Sequence, residues 1–404
     1  MTDPSISDQV ERLCRRAEHV ISRDELTDRL GEKRPLRVKL GLDPTAPAVT
    51  LGWAVPLRKL REFQDAGHTA VLIVGDFTAR IGDPSGKNET RPQLTKEEVK
   101  AHATVVLDQF SDILSKDNLE VRYNSEWLEP MDLGDILKLT SHYTVAQMLE
   151  RDDFAKRYAE QRPISIIEFM YPLAQAYDSV AVEADVELGG TDQLFNLLVG
   201  RQMQRAYGQR EQICLTMPLL EGLDGVQKMS QSLNNYVAIR EEPAEMFGKL
   251  MSIPDSLAVR YAQLAADMSD ADAQELDAKV KRGGPEAGDA KRQVARACVS
   301  LYYGSDAAKE AEEAFDRQFK RHEAPAEVPE ASIPPDAIDG DIVYLPRVLA
   351  ELGLAESRSA ARRLLGQRGV KVNGEIVTSE ELPQANLTGA LLQVGKRRFV
   401  RLLG

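Results

Sequence analysis

TAVLIVGDF, residues 69–77, decides the fold. Ala70 to Val74 is an unbroken apolar run without polar alternation, which marks a strand covered on both faces, as in a parallel sheet. A glycine and a polar turn follow at once. Upstream, RPLRVKLGLDPT (34–45) contains a second strand, over about 36–42, that also ends in a turn. Between the two, WAVPLRKLREFQDAG (53–67) carries apolar residues at helical spacing and closes on Gly67, a C-cap residue. Downstream, Thr95-x-x-Glu98 is a capping box opening a helix to about residue 114. LEVRYN (119–124) and DVELGG (185–190) are further strands with helices between them. Strands alternating with helices predict an α/β, Rossmann-like, doubly wound parallel sheet, whose ligands bind beyond the carboxyl ends of the strands.

The 404 residues exceed one ordinary core and predict several domains. Residues 1–35 hold two short amphipathic helices over 8–31, and 36–240 hold the sheet. A helical stretch covers 241–321, and a linker rich in Pro, Ala and acids covers 322–341. A small α+β unit, 342–404, is expected to hold two helices in SRSAARRLLGQRG, then VKVNGEIV with an Asn-Gly turn, then two short strands. Cys14, Cys214 and Cys298 are far apart and form no CxxC pair, so they are expected as reduced thiols of a cytoplasmic protein, with no metal site. No apolar run reaches the roughly eighteen residues of a membrane span, so no membrane partner is expected. Net charge is −13, but it is uneven. The last sixty residues set Arg347, Arg358, Arg362, Arg363, Arg368, Lys371, Lys396, Arg397, Arg398 and Arg401 against five acids. An acidic body with a basic terminal unit is compatible with RNA binding through that unit.

Four segments carry chemistry. Gly41 to Trp53 leaves a strand and opens a helix, whose free N–H groups suit an anion. Ile81-Gly-Asp-Pro-Ser-Gly-Lys87, with Arg91, is a polar loop able to close on a polyphosphate. It is no Walker loop, because Ile81 stands where the first glycine belongs and Asn88 replaces the Ser or Thr. Tyr171, Gln175 and Asp178 are spaced i, i+4, i+7 and share a helix face, where each needs a hydrogen-bond partner if buried. Lys228-Met-Ser-Gln-Ser232 places a lysine and small hydroxyls in a loop. Each segment alone also fits an ordinary turn, surface loop or solvated face.

Together, DPTAP, QDAGH, VGDFTARIGDPSGK, YPLAQAYD, ELGGTDQ and MPLLEGLDGVQKMSQS resemble the tyrosyl-tRNA synthetases, from about residue 35 to the end. Lys39-Leu-Gly is similar to the second bacterial branch of that family. The resemblance implies a class I catalytic domain, a helical anticodon-binding domain and a terminal S4 RNA-binding domain. It implies ATP with its Mg²⁺, L-tyrosine and tRNA(Tyr) as partners, and a homodimer. Asp178 would accept the phenolic hydroxyl, while Tyr171, Gln175 and Asp83 would hold the α-ammonium group. Lys39, Thr78, Asn124 and Gln193 would complete the tyrosine pocket. Gly41, Asp43, Gly52, Gly190 and Asp192 would contact ATP, and Thr45, Lys87, Arg91 and Lys228 its phosphates. Arg358, Arg362, Arg363, Arg368 and Lys371 would face RNA.

Two signatures depart from the family pattern. Thr50-Leu-Gly-Trp53 stands where His-x-Gly-His is usual, and Gln231 replaces the second lysine of Lys-Met-Ser-Lys-Ser. The resemblance implies that these three positions touch the phosphates during the reaction, and Thr50, Trp53 and Gln231 keep hydrogen-bond donors there but no charge. Three functions stay open at this point: a working tyrosine–tRNA ligase, an attenuated paralogue with an adenylating, resistance or regulatory role, and a non-catalytic RNA-binding protein.

Overall fold

The computed structural model describes residues 5–83, 95–319, 328–395 and 398–403. The chain divides into two compact units: one of residues 1–242 and 249–302, the other of 243–248 and 303–404. The first holds a six-stranded sheet of β1 (His19–Ile21), β2 (Arg37–Leu42), β3 (Thr69–Val74), β4 (Leu119–Tyr123), β5 (Val186–Gly190) and β6 (Ile213–Met217), in the order β1-β6-β5-β2-β3-β4. β2 to β6 run parallel and β1 pairs antiparallel with β6 at the edge. Ala70 to Val74 are all buried, as the apolar run predicts. The order reverses between β2 and β5, so a crevice opens beyond their carboxyl ends.

The helices follow from local chemistry. α1 (Ile6–Cys14) and α2 (Arg23–Gly31) are capped by Ser5 and Ser22. The sequence predicts these two helices but not β1 between them, which is only three residues long and is fixed by its pairing to β6. α3 (Leu51–Asp65) is capped by Thr50 and ends ahead of Gly67, which takes the left-handed φ of +86°. α4 (Lys96–Phe110) opens on the predicted Thr95–Glu98 capping box but stops at Phe110, short of residue 114. Short helices α5 (Ser125–Leu128), α6 (Leu133–Ser141), α7 (Val145–Met148) and α8 (Asp152–Ala159) lead to α9 (Ile166–Ala181), which packs against α10 (Leu194–Ala206). From Pro243 to Phe319 the chain is helical apart from short connections, in α11 (Pro243–Ser252), α12 (Ala258–Leu264), α13 (Asp270–Arg282), α14 (Gly284–Tyr303) and α15 (Ser305–Phe319).

In the second unit, residues 328–403 form an α+β module. Its larger sheet runs β11 (Glu375–Ile376), β10 (Val370–Val372), β13 (Leu391–Val394), β14 (Arg398–Leu403), β7 (Glu330–Ser332). A smaller sheet joins β8 (Ile338–Asp339), β9 (Ile342–Tyr344) and β12 (Glu381–Pro383). Helices α16 (Leu345–Glu351) and α17 (Arg358–Gly366) complete the module. The expected linker is therefore structured over its described part. Ile333 and Ala337 are buried in the module's core, and β7 pairs with β14, so the Pro and acidic residues of 328–341 decorate ordered backbone. SRSAARRLLGQRG supplies one helix, α17, and its partner α16 lies upstream. Asn373 and Gly374 take φ of +50° and +87° between β10 and β11, the paired positive values of a tight hairpin.

Candidate active site

A cleft of about 710 Å³ opens at the crevice between β2 and β5. The end of β2 brings Gly41, Asp43 and Thr45, and the end of β5 brings Gly190, Asp192 and Gln193. α9 contributes Tyr171, Gln175 and Asp178 from one face, as their spacing predicts. Thr78 and Asp83 enter from the loop after β3, and Thr50, Gly52 and Trp53 from the start of α3. Lys228 and Gln231 close the far side. Lys87 and Arg91 lie outside the described residues.

One wall is a continuous hydrogen-bond chain. Tyr171 donates its hydroxyl to Oδ2 of Asp43 at 2.8 Å, and Thr78 donates to Oδ1 at 2.7 Å. Asn124 donates to Thr78 Oγ1 at 3.0 Å and to Asp178 Oδ2 at 3.4 Å. Trp127 donates its indole N–H to Asp178 Oδ1 at 2.8 Å. Loss of water around Asp43 and Asp178 pushes each carboxyl up to about 7, against the lowering effect of these donors. Burial, with Asp43 and Asp83 nearby, holds the Tyr171 hydroxyl well above its ordinary value, so it stays protonated. Gly75 at the end of β3 is required here: a Cβ would overlap Asp43 Oδ1 and Thr78 Oγ1.

A second network orders the carboxamides. Gln193 donates to Asp83 Oδ2 at 2.9 Å, and Asn196 donates to Gln193 Oε1 and Gln175 Oε1, both at 3.1 Å. Lys39, expected among the tyrosine ligands, does not line the cleft. It is fully buried behind α9, where it pairs with Glu187 at 2.9 Å. Strand alternation turns its side chain to that face. Asn124 is also fully buried and acts through Asp178 and Thr78. Asp43, expected on the nucleotide side, spends both carboxylate oxygens on Thr78 and Tyr171.

The altered signatures are also explained locally. Thr50 is 2% exposed, and its Oγ1 accepts from Trp53 N at 3.3 Å as the N-cap of α3. Gln231 donates to Ala48 O at 2.7 Å and accepts from Ala48 N at 3.3 Å, a two-bond clasp that lysine cannot form. Lys228 pairs with Asp192 at 2.6 Å. A Cβ on Gly190 would press on Asp192 and Leu219, which explains the second glycine of that turn.

Trp127 and Asn196 lie outside the quoted motifs, and Glu187 and Gly75 lie within them without a role evident from sequence. Trp127 and Asn196 each lie three residues beyond a candidate site residue, Asn124 and Gln193. Glu187 is the one charge in an otherwise apolar strand, as Lys39 is beside its neighbours in LGL. Among the described residues, no group of three His, Cys, Asp or Glu side chains is arranged to hold a metal ion.

In the second unit, Arg358, Arg362 and Arg363 are exposed on α17, opposite the buried Ala361 and Leu365. Arg368 is exposed just after it and Lys371 is half-buried on β10. Arg362 is engaged within the module, donating to Tyr344 at 2.6 Å and to Glu380 at 3.1 Å. Lys396 and Arg397 lie outside the described residues.

Residues 31–320 match the family described as tRNA synthetases class I (W and Y), and residues 345–383 match the S4 domain. Fold and cleft thus define a class I aminoacyl-tRNA synthetase with an S4 module. The tyrosine–tRNA ligase of Thermotoga maritima is 51% identical over 397 residues, covering 98% of each chain. That of Geobacter sulfurreducens is 48% identical, covering 98% of this chain and 99% of its own. The tyrosyl-tRNA synthetase of Archaeoglobus fulgidus, solved with L-tyrosine, superposes with a TM-score of 0.61 at 23% identity, over 76% of this chain and 99% of its own, which shows the shared fold. This chain belongs to the tyrosyl-tRNA synthetases.

Proposed function

We propose that this chain runs the family's reaction, ATP-dependent attachment of L-tyrosine to tRNA(Tyr), in the cleft between β2 and β5. The observation that carries the residue roles is the chain of bonds from Tyr171 through Asp43, Thr78 and Asn124 to Asp178. Its two ends fit the two ends of tyrosine. Asp178, in its carboxylate form, accepts the phenolic hydroxyl, and the donors Trp127 and Asn124 fix its oxygens. Tyr171 donates its hydroxyl hydrogen bond to Asp43, so its oxygen is left as an acceptor for the α-ammonium group, beside Gln175 and Asp83. Thr78 and Gln193 complete that pocket, and Asn124 supports it from behind through Thr78 and Asp178.

The tyrosine carboxylate attacks the α-phosphorus of ATP in line. The bond to the bridging oxygen breaks and pyrophosphate leaves, giving tyrosyl-adenylate. A terminal ribose hydroxyl of tRNA then attacks the carbonyl, AMP departs and the hydroxyl proton passes to solvent. No general base is needed in the first step, so catalysis rests on positioning and on stabilising phosphate charge. Gly41, Gly52, Gly190 and Asp192 hold the nucleotide, Thr45, Lys228 and Gln231 face its phosphates, and Lys87 and Arg91 are assigned to the same phosphates on the family resemblance alone. Mg²⁺ enters with ATP as part of the substrate, neutralising phosphate charge.

Arg358, Arg363, Arg368 and Lys371 make the RNA face, with Arg362 available on release from Glu380. A homodimer is supported by the exposed apolar side chains Leu133 (72%), Leu137 (62%), Val145 (63%) and Ile166 (80%). A cytoplasmic location is supported by three free, buried thiols. The test is tyrosine-dependent exchange of labelled pyrophosphate into ATP, with phenylalanine as control. Exchange with tyrosine alone supports the reading, and its absence with tyrosine binding intact refutes it.

A further inference from the structure

We propose that the buried ion pair Lys39–Glu187 is a positioning device that fixes which end of the Gln175 carboxamide faces its neighbours, and so makes the site read the α-ammonium group of its amino acid. The proposal rests on the reading that Gln175 contacts that group. Lys39 and Glu187 stand opposite each other in register on β2 and β5, and are 0% and 1% exposed. The three ammonium protons of Lys39 are accounted for by its ion pair with Glu187 Oε1 at 2.9 Å and its hydrogen bonds to the backbone carbonyl of Gln175 at 2.9 Å and to Ser179 Oγ at 2.8 Å. None is left for a ligand. Glu187 is equally committed. Its Oε1 also accepts from Gln175 Nε2 at 3.2 Å, and its Oε2 accepts from Ser179 at 3.1 Å and from Gln212.

Gln175 is the one member of this cluster that lines the cleft. An ionised carboxylate only accepts, so the NH₂ end of the Gln175 amide must face Glu187. A flipped amide would set oxygen against oxygen. The amide oxygen is thereby turned to the other side, where Asn196 donates to it at 3.1 Å and a second lone pair remains. A cation arriving there meets the oxygen of the Gln175 amide rather than its NH₂. A buried ion pair adds little net stability, which leaves orientation of its neighbours as its structural consequence.

The test uses the full-length protein and two tyrosine analogues, with binding measured by calorimetry. Tyramine keeps the ammonium and lacks the carboxylate, while 3-(4-hydroxyphenyl)propanoate is the reverse. In Glu187→Gln, residue 187 can present an NH₂ to Gln175 and the amide loses its fixed sense. Tyramine binding is expected to weaken by about tenfold or more, while the propanoate changes by less than about twofold. If Lys39, left unpaired, prevents folding, Lys39→Met/Glu187→Gln removes both charges and is expected to show the same selective loss. Equal losses for the two analogues, or no loss, overturn the proposal. Gln175→Ala separates the causes. A selective tyramine loss there alone refutes only the role of the pair, and no loss there refutes the reading of Gln175 as well.

Discussion

The indole N–H of Trp127 donates to Oδ1 of Asp178 at 2.8 Å, across 51 residues of sequence. Its geometry leaves Asp178 held from two sides, by Trp127 and by Asn124, both carried on the turn after β4. A carboxylate fixed this way can discriminate between a substrate that offers a hydroxyl and one that does not. Trp127→Phe keeps an aromatic ring and removes the donor. Hydrogen bonds to charged groups are worth about 1.5–3 kcal/mol, so kcat/KM for tyrosine is expected to fall by roughly tenfold to a hundredfold. Phenylalanine, which has no hydroxyl for Asp178, should be affected far less. A parallel fall for both amino acids in pyrophosphate exchange would mean that Trp127 only supports packing.

Asp178 and Asp43 give the site its pH dependence. Both are raised from 3.8 to about 7, mainly by loss of water. Each native carboxyl therefore binds a proton that the unfolded chain has released between pH 4 and about 7. These two groups make stability fall as pH rises through that window, and contribute no further change above it. In the role proposed for Asp178, function should run the other way, because a protonated carboxyl is a poorer acceptor for a phenol. Tyrosine KM in the exchange assay is expected to rise as pH falls from 8 to 6, while thermal stability of the free protein increases over the same range. A pH-independent KM would remove Asp178 from its assigned role.

Much of this architecture is legible in the sequence itself. An unbroken apolar run such as Ala70 to Val74 has one stable home, a strand buried on both faces. The i, i+4, i+7 spacing likewise suffices to put Tyr171, Gln175 and Asp178 on one helix face, and all three line the cleft. Both are local patterns with a single physical solution. What the sequence hides depends on contacts between distant segments. β1 exists because His19 to Ile21 find the edge of β6, and its three residues carry no periodicity of their own. Family resemblance puts Lys39 in the pocket, but the pleat of β2 sends it behind α9 toward Glu187. Pro and acid content suggests a linker over 322–341, yet Ile333 and Ala337 in that tract are core residues of the terminal module.

The departures at Thr50 and Gln231 lead to opposite expectations. Thr50 Oγ1 is committed to capping α3, so Thr50→Ala should cost about 1 kcal/mol of stability. It should lower the melting temperature by a few degrees and leave kcat nearly unchanged. Gln231 is half-exposed on the cleft wall and clasps Ala48 through its amide. Gln231→Lys exchanges that clasp for a charge near the phosphates. Charge-assisted bonds are about twice as strong as neutral ones, and kcat for exchange is expected to rise by roughly tenfold. An unchanged kcat would show that the neutral clasp already supplies what the charge would.

The arginines of α17 differ in freedom, and RNA binding should register the difference. Arg358 and Arg363 are exposed, while the guanidinium of Arg362 is held by Tyr344 and Glu380. A free arginine that meets phosphate releases a counterion, and its removal lowers the slope of log K against log salt by about one. Arg358→Ala and Arg363→Ala are each expected to weaken tRNA(Tyr) binding and flatten that slope in filter-binding titrations across KCl concentrations. Arg362→Ala should do less, since RNA must first break its bond to Glu380. Glu380→Gln removes that competitor and is expected to strengthen binding, with a steeper salt dependence that disappears when Arg362→Ala is added. If Glu380→Gln changes nothing, Arg362 faces away from the RNA and its bond to Tyr344 only braces α17 against β9.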